Sequence, residues 1–133
     1  MPDQIQDFWP ENIGQTNIVT PVSLLKQEAS YLGPKTKQLV KAEVSTSNSG
    51  NNFVHSFNLV VPGLSNYKYQ LFQVQHPITL YPATIIWYQG YSVPDQGAFI
   101  AKLQEILASA DTKRIVEALL AQVTGPSTEA APG

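Results

Sequence analysis

The sequence predicts an α+β fold: an antiparallel four-stranded β-meander with one N-terminal helix and two C-terminal helices packed mainly on one face. Three observations carry this reading. Apolar and polar residues alternate in three consecutive runs between Val40 and His76, one apolar stripe at helical spacing precedes them, and two more follow from Phe99 to Val123. A chain of 133 residues, 43% hydrophobic, supplies one core and not two, so residues 20–123 are predicted to form a single domain.

Residues 1–19 carry no sustained period, although Phe8-Trp9-Pro10 and Ile18-Val19 are apolar anchors on a polar arm, and partial order is predicted there. Thr20-Pro21 marks a helix start, with Thr20 as N-cap and Pro21 at the first helical position, where its missing N–H costs nothing. Val22, Leu25, Ala29 and Leu32 follow at helical spacing, and Gly33-Pro34 is the predicted stop.

From Gln38 the period changes to two. Val40, Ala42 and Val44 alternate with Lys41, Glu43 and Ser45, the pattern of a strand that buries one face. The cluster Ser47 to Asn52 is a turn, Phe53 to Val61 a second strand, and Tyr67 to His76 a third. Pairing the second and third strands through the Pro62–Asn66 turn sets Leu59 opposite Tyr69, Phe57 opposite Leu71 and Asn58 opposite Gln70. Pairing the first and second sets Val40 opposite Leu59, Ala42 opposite Phe57 and Val44 opposite His55.

A fourth strand is predicted over Thr84 to Tyr91, rich in β-branched and aromatic residues. Asp95 caps a helix with the stripe Phe99, Ile100, Leu103, Ile106 and Leu107. Asp111 caps another with Ile115, Val116, Leu119, Leu120 and Val123, and Ala108-Ser109-Ala110 separates the two. Residues 124–133 have nothing to bury and are predicted to be disordered. The uncovered sheet face would carry Lys41, Glu43, Ser45, Ser56, Asn58, Lys68, Gln70 and Phe72.

Composition narrows the function classes. Charged residues make up 14% of the chain, against about 25% in typical domains, and the formal net charge is -2. Such a surface lacks the electrostatic footprint that duplex nucleic acid requires and the basic amphipathic helix that docks on anionic lipid. A grouping of Lys35, Lys37 and Lys41 with Lys113-Arg114 is better explained as a solvated face than as a single-strand groove. With no cysteine there is no disulfide framework and no thiol chemistry. The acidic, polar start and the short apolar runs predict a cytoplasmic protein of bacterial type with no membrane partner.

Candidate chemistry is sparse. His55 and His76 lack a carboxylate at an orienting spacing and a local chelate spacing, so they are expected to be structural or solvated, and no metal or cofactor is implied. The acidic residues are scattered, and no phosphate loop or GxSxG context is present. One stretch is distinctive: Tyr67, Tyr69, Phe72, Tyr81, Trp87, Tyr88 and Tyr91 lie among Gln70, Gln73, Gln75 and Gln89. Rings give contact area at low entropy cost and amides give uncharged hydrogen bonds, a pairing that protein interfaces use. Tyr67, Tyr69, Phe72, Trp87, Tyr88, Gln89 and Tyr91 are therefore the predicted binding residues. The first expectation is a non-enzymatic interaction or self-assembly module, a homo-oligomer or the holder of another protein. A small-ligand or carbohydrate-binding domain is second, and a small hydrolase-type enzyme third.

Overall fold

A computed structural model describes residues 6–14 and 16–124; the parts of the predicted arm and tail beyond these lie outside the described residues. The element order is α1 (Pro21–Lys35), β1 (Lys41–Ser49), β2 (Asn52–Val61), a 3-10 turn (Pro62–Leu64), β3 (Tyr67–His76), β4 (Ala83–Trp87), β5 (Gln89–Val93), α2 (Gln96–Leu107) and α3 (Ala110–Thr124). The fold is α+β, and its one antiparallel sheet runs β1-β2-β3-β4-β5. The sheet thus has five strands where four were predicted. The run Thr84 to Tyr91 breaks at Tyr88, whose left-handed φ of 66° reverses the chain between Trp87 and Gln89.

The predicted start of α1 holds. Thr20 Oγ1 accepts from the Ser23 N–H at 3.2 Å and Ser23 Oγ accepts from the Thr20 N–H at 3.2 Å, a reciprocal cap. Its end differs: Gly33 and Pro34 stay within the last turn, and the left-handed residues are Lys37 and Gln38, at φ 55° and 67°. Gln38 folds back over Gly33, where a Cβ would stand 2.7 Å from its Oε1, a contact that the end of the flexible Gln38 side chain would have to move to relieve. Buried Thr36 then ties helix to strand, its hydroxyl donating to the Val40 carbonyl at 2.7 Å and accepting from the Val40 N–H at 3.1 Å.

Strand pairing corrects the predicted registers in two instructive ways. Between β1 and β2 the partners are Ala42 with Leu59, Val44 with Phe57 and Thr46 with His55, two residues away from prediction. The cause is a hairpin loop of only Gly50 and Asn51, with Gly50 at φ 60° as in a type II′ turn. A two-residue slip preserves the face, so the apolar alternation survives. Between β2 and β3, Leu59 with Tyr69 and Asn58 with Gln70 stand as predicted, but Phe57 pairs with Phe72. Leu71 is the extra residue of a β-bulge, and beyond it the parity of β3 inverts. Phe72, Val74 and His76 consequently join the face of Phe57 and Leu59. Phe72, predicted on the uncovered face, is 1% exposed in the core.

The core is built from Leu25 and Ala29 of α1, Phe57, Leu59 and Val61 of β2, Phe72 and Val74 of β3, Ile85 of β4, Val93 of β5, Phe99, Leu103 and Ile106 of α2, and Leu119 of α3. Asp95 caps α2 as predicted, accepting from the Ala98 N–H at 2.9 Å. For α3 the cap is Ser109, whose Oγ accepts from the Thr112 N–H at 3.1 Å, and Asp111 sits inside the first turn. That frees the Asp111 carboxylate for other partners. No helix among the described residues is long and apolar enough to cross a membrane.

Candidate functional site

Two clusters and one cleft emerge from this frame. The first cluster is a direct product of the bulge. With unbroken parity His55 and His76 would lie on opposite faces of the sheet; one inserted residue places both on the core face. Their Nε2 atoms then approach to 2.8 Å with both side chains buried. His76 Nδ1 lies 2.7 Å from the Pro77 carbonyl, which can only accept, so His76 carries its proton on Nδ1 when neutral. Its Nε2 must accept from His55 Nε2–H. His55 Nδ1 is then an acceptor, and the Thr46 hydroxyl at 2.9 Å donates to it. One carbonyl thereby fixes the direction of a four-membered relay with no spare proton site.

Burial, then the neighbouring His76, then Lys26 hold the His55 imidazole down at about 4 from its ordinary 6.5. The neutral His55 ring is the folded form. The relay stacks beneath Phe53, whose ring centroid lies 5.5 Å from that of His76. Both histidines are buried and bonded to each other, and this pairing was not foreseen. Its signal was present in the chain: the ring and aliphatic residues switch from odd positions (Tyr67, Tyr69, Leu71) to even ones (Phe72, Val74) before His76.

The second cluster is an aromatic corner at the β4–β5 reversal. Trp87 lies 5.5 Å from Tyr88 and 6.5 Å from Tyr91 between ring centroids, and Gln89 Nε2 donates to Tyr91 Oη at 3.0 Å. Lys102 Nζ sits 4.0 Å above the Tyr91 ring. Tyr88 is 75% exposed and donates its hydroxyl to Asp111, which also receives Arg114. This bond raises the Tyr88 hydroxyl above its ordinary range and lowers the Asp111 carboxyl below its own. The Trp87 indole N–H is buried and has no hydrogen-bond partner among the described residues.

Five of the predicted binding residues assemble here or beside it: Trp87, Tyr88, Gln89 and Tyr91, with half-buried Tyr69 near Tyr88. Tyr67, 47% exposed at the start of β3, pairs with Val61, and Phe72 belongs to the core. The sheet pleat separates the rings from the amides. Tyr69, Phe72, Trp87 and Tyr91 share the face that carries the core, while Gln70, Gln73 and Gln75 share the other with Ser56, Asn58 and Thr84. On that second face Gln73 donates to Ser56 Oγ at 3.3 Å and Gln75 to Gln73 Oε1 at 3.4 Å, an uncharged polar lattice.

The cleft lies between α1 and α3. Its volume is about 550 Å³, its floor is Phe57, Leu59 and Leu71, and its walls include Leu32, Leu107 and Val116. Lys35, Glu28, Lys113 and Glu117 stand at its rim. Comparison of the chain with known protein families, with curated proteins and with solved structures gives no match in any of the three.

Proposed function

We propose that the chain is a non-enzymatic protein-interaction module that docks through the aromatic corner and self-associates by it. The observation that carries this reading is Tyr88. A bulky ring held at φ 66°, where glycine or asparagine would be cheapest, costs on the order of 1–3 kcal/mol, and here the ring points to solvent instead of repaying that cost by burial. Strain of this kind gathers at contact sites. Tyrosine, tryptophan and arginine are also the residues that dominate interface energies; Trp87 lies against this ring and Tyr91 beside Trp87, and Arg114 shares the Asp111 carboxylate that the Tyr88 hydroxyl reaches. The three helices belong mainly to the corner's side of the sheet in this reading, and the amide-rich face opposite offers a second, weaker surface. A cytoplasmic, homo-oligomeric protein fits the low surface charge.

Sedimentation across a wide concentration range tests the proposal. Wild type is expected to gain mass with concentration, and Tyr88→Ala to weaken that association by at least tenfold, roughly 1.4 kcal/mol, with an unchanged circular dichroism spectrum. A wild type that remains monomeric, or a variant that associates equally, removes this reading. The unpartnered indole N–H of Trp87 favours a second one, a small polar ligand such as a sugar stacked on Trp87, Tyr88 and Tyr91. In a Trp9→Phe background the emission reports Trp87 alone, and saturable quenching by mono- or disaccharides at constant monomer mass would favour it.

A further inference from the structure

We propose that His55 and His76 form a buried two-coordinate site for a soft monovalent cation of the copper(I) class, seated between their Nε2 atoms in place of the relay's central hydrogen bond. The site is separate from the aromatic corner and does not depend on self-association. Geometry carries it first. The Nε2 atoms are 2.8 Å apart and the ring centroids 4.9 Å apart, a difference of nearly twice the distance from a ring's centre to its nitrogen. The two imidazoles therefore meet end to end, each aiming Nε2 along one common line, which is the arrangement that linear coordination of a filled-shell ion by imidazole requires. The outer partners carry it second. His76 is already the tautomer that binds a metal, since the Pro77 carbonyl at 2.7 Å keeps its proton on Nδ1. His55 has to exchange its Nε2 proton for one on Nδ1, and Thr46 permits this, because its hydroxyl, 2.9 Å from Nδ1, can accept as well as donate. Thr46 is exposed, so water takes the hydroxyl hydrogen. The loaded site thus has a proton on each Nδ1, the cation between the Nε2 atoms and no net proton released.

Charge and ligand number select the class of ion. Among the described residues no group of three His, Cys, Asp or Glu is gathered to hold a metal, so the four donors of a structural zinc site are lacking. The groups bonded to the two rings are a hydroxyl, a carbonyl and each other, none of them anionic. Lys26 of α1 acts on His55 with the same sign as a metal ion. The cost of burying an ion rises steeply with its charge, so a single positive charge shared by two neutral imidazoles is the load this pocket bears. Space is the remaining requirement. Imidazole–metal bonds of about 2.0 Å ask the nitrogens, now 2.8 Å apart, to part by roughly 1.2 Å. His76 is the side that yields: it ends β3 and leads into the connection 77–82, and Phe53, the ring it lies against, is 37% exposed.

The probe is silver(I), a redox-inert ion of the same class, added as nitrate to the full chain in chloride-free buffer. Calorimetry is expected to show one equivalent bound per chain. Nitrogen-15 NMR of the imidazoles should show His55 change from Nε2–H to Nδ1–H while His76 keeps its Nδ1–H, a signature that a surface site would not produce. Thr46→Val, which cannot accept from His55 Nδ1–H, should weaken binding by at least about tenfold. His55→Leu/His76→Leu should lose the equivalent altogether. Met1, the one methionine, is retained in every variant, so silver held by its thioether would persist in the double variant. No binding by wild type, equal binding by the double leucine variant, or binding with the His55 tautomer unchanged overturns the site. The tautomer is read on wild type, so it decides even if the leucine variant fails to fold. Zinc(II) bound as tightly as silver(I) overturns the assignment to a monovalent ion.

Discussion

At the histidine relay every ring nitrogen has a partner and both side chains are within 5% of full burial, whereas at the aromatic corner the Trp87 N–H has none among the described residues and Tyr88 is 75% exposed. Both regions combine rings with polar atoms on the same face of one sheet. The difference is in what satisfies the polar atoms. In the relay the chain itself supplies a terminal acceptor, the Pro77 carbonyl, and a terminal donor, the Thr46 hydroxyl, so polar groups can be buried without a large penalty. At the corner the backbone is strained, the ring faces water, and the hydrogen bonds run outward to Asp111 and Arg114 on α3. The first arrangement serves stability and the second is available for contact.

The sharpest way to break this contrast is His76→Ala. It removes a buried ring and leaves His55 Nε2–H without an acceptor, and a loss of about 3–4 kcal/mol in urea unfolding is expected. A double replacement by leucine at positions 55 and 76 removes both partners together and should recover much of that loss. A loss of under about 1 kcal/mol in His76→Ala would mean that the relay contributes little.

Acid should act on the same element. With the folded-state value at about 4 and the ordinary value at 6.5, the unfolded chain binds a proton between those limits that the folded chain refuses. The relay's contribution is therefore whole above pH 6.5, declines as pH falls toward 4, and is gone below that. The expected loss is roughly 1–3 kcal/mol over this window, measured by urea unfolding at stepped pH, and the double leucine variant should lack it. Thr46→Val, which deletes only the terminal donor, is expected to cost about 1–2 kcal/mol and to leave the pH response in place.

The smallest effects belong to the corner, and their sign is informative. Tyr88→Ala and Tyr88→Gly remove the same ring, but only glycine relieves the left-handed backbone, so the glycine variant should be the more stable by about 1 kcal/mol. Equal stabilities would show that the reversal at Tyr88 carries no strain. Neither variant is expected to approach the loss at His76, which is what separates the exposed corner from a core element.

Much of the fold was legible in the chain because alternation and helical spacing are local signals: α1, the first three strands, the Asp95 cap and the core residues of α2 follow from them. The misreadings within the sheet share one cause, local backbone devices of one or two residues. The Gly50-Asn51 loop shifted β1 by two positions harmlessly, Tyr88 divided one predicted strand into two, and Leu71 inverted half of β3. Phe72 was consequently assigned to the wrong face, and the proximity of His55 and His76, 21 positions apart, could not be inferred from unbroken alternation. The candidate binding residues were found in part because the rings cluster in sequence. Their relation to α3 was not, since Asp111 looked like a cap until Ser109 took that role.

The inserted residue at Leu71 also governs which length changes the chain can tolerate. Loss of Leu71 itself would restore regular alternation and leave Phe72, Val74 and His76 opposite Phe57, His55 and Phe53 on the core face, so β3 should tolerate a deletion at the bulge better than on either side of it. The hairpin tip at Gly50-Asn51, exposed and with open space beside Gly50, is where extra residues or a grafted peptide tag could enter without disturbing either the interior or the ring-bearing corner.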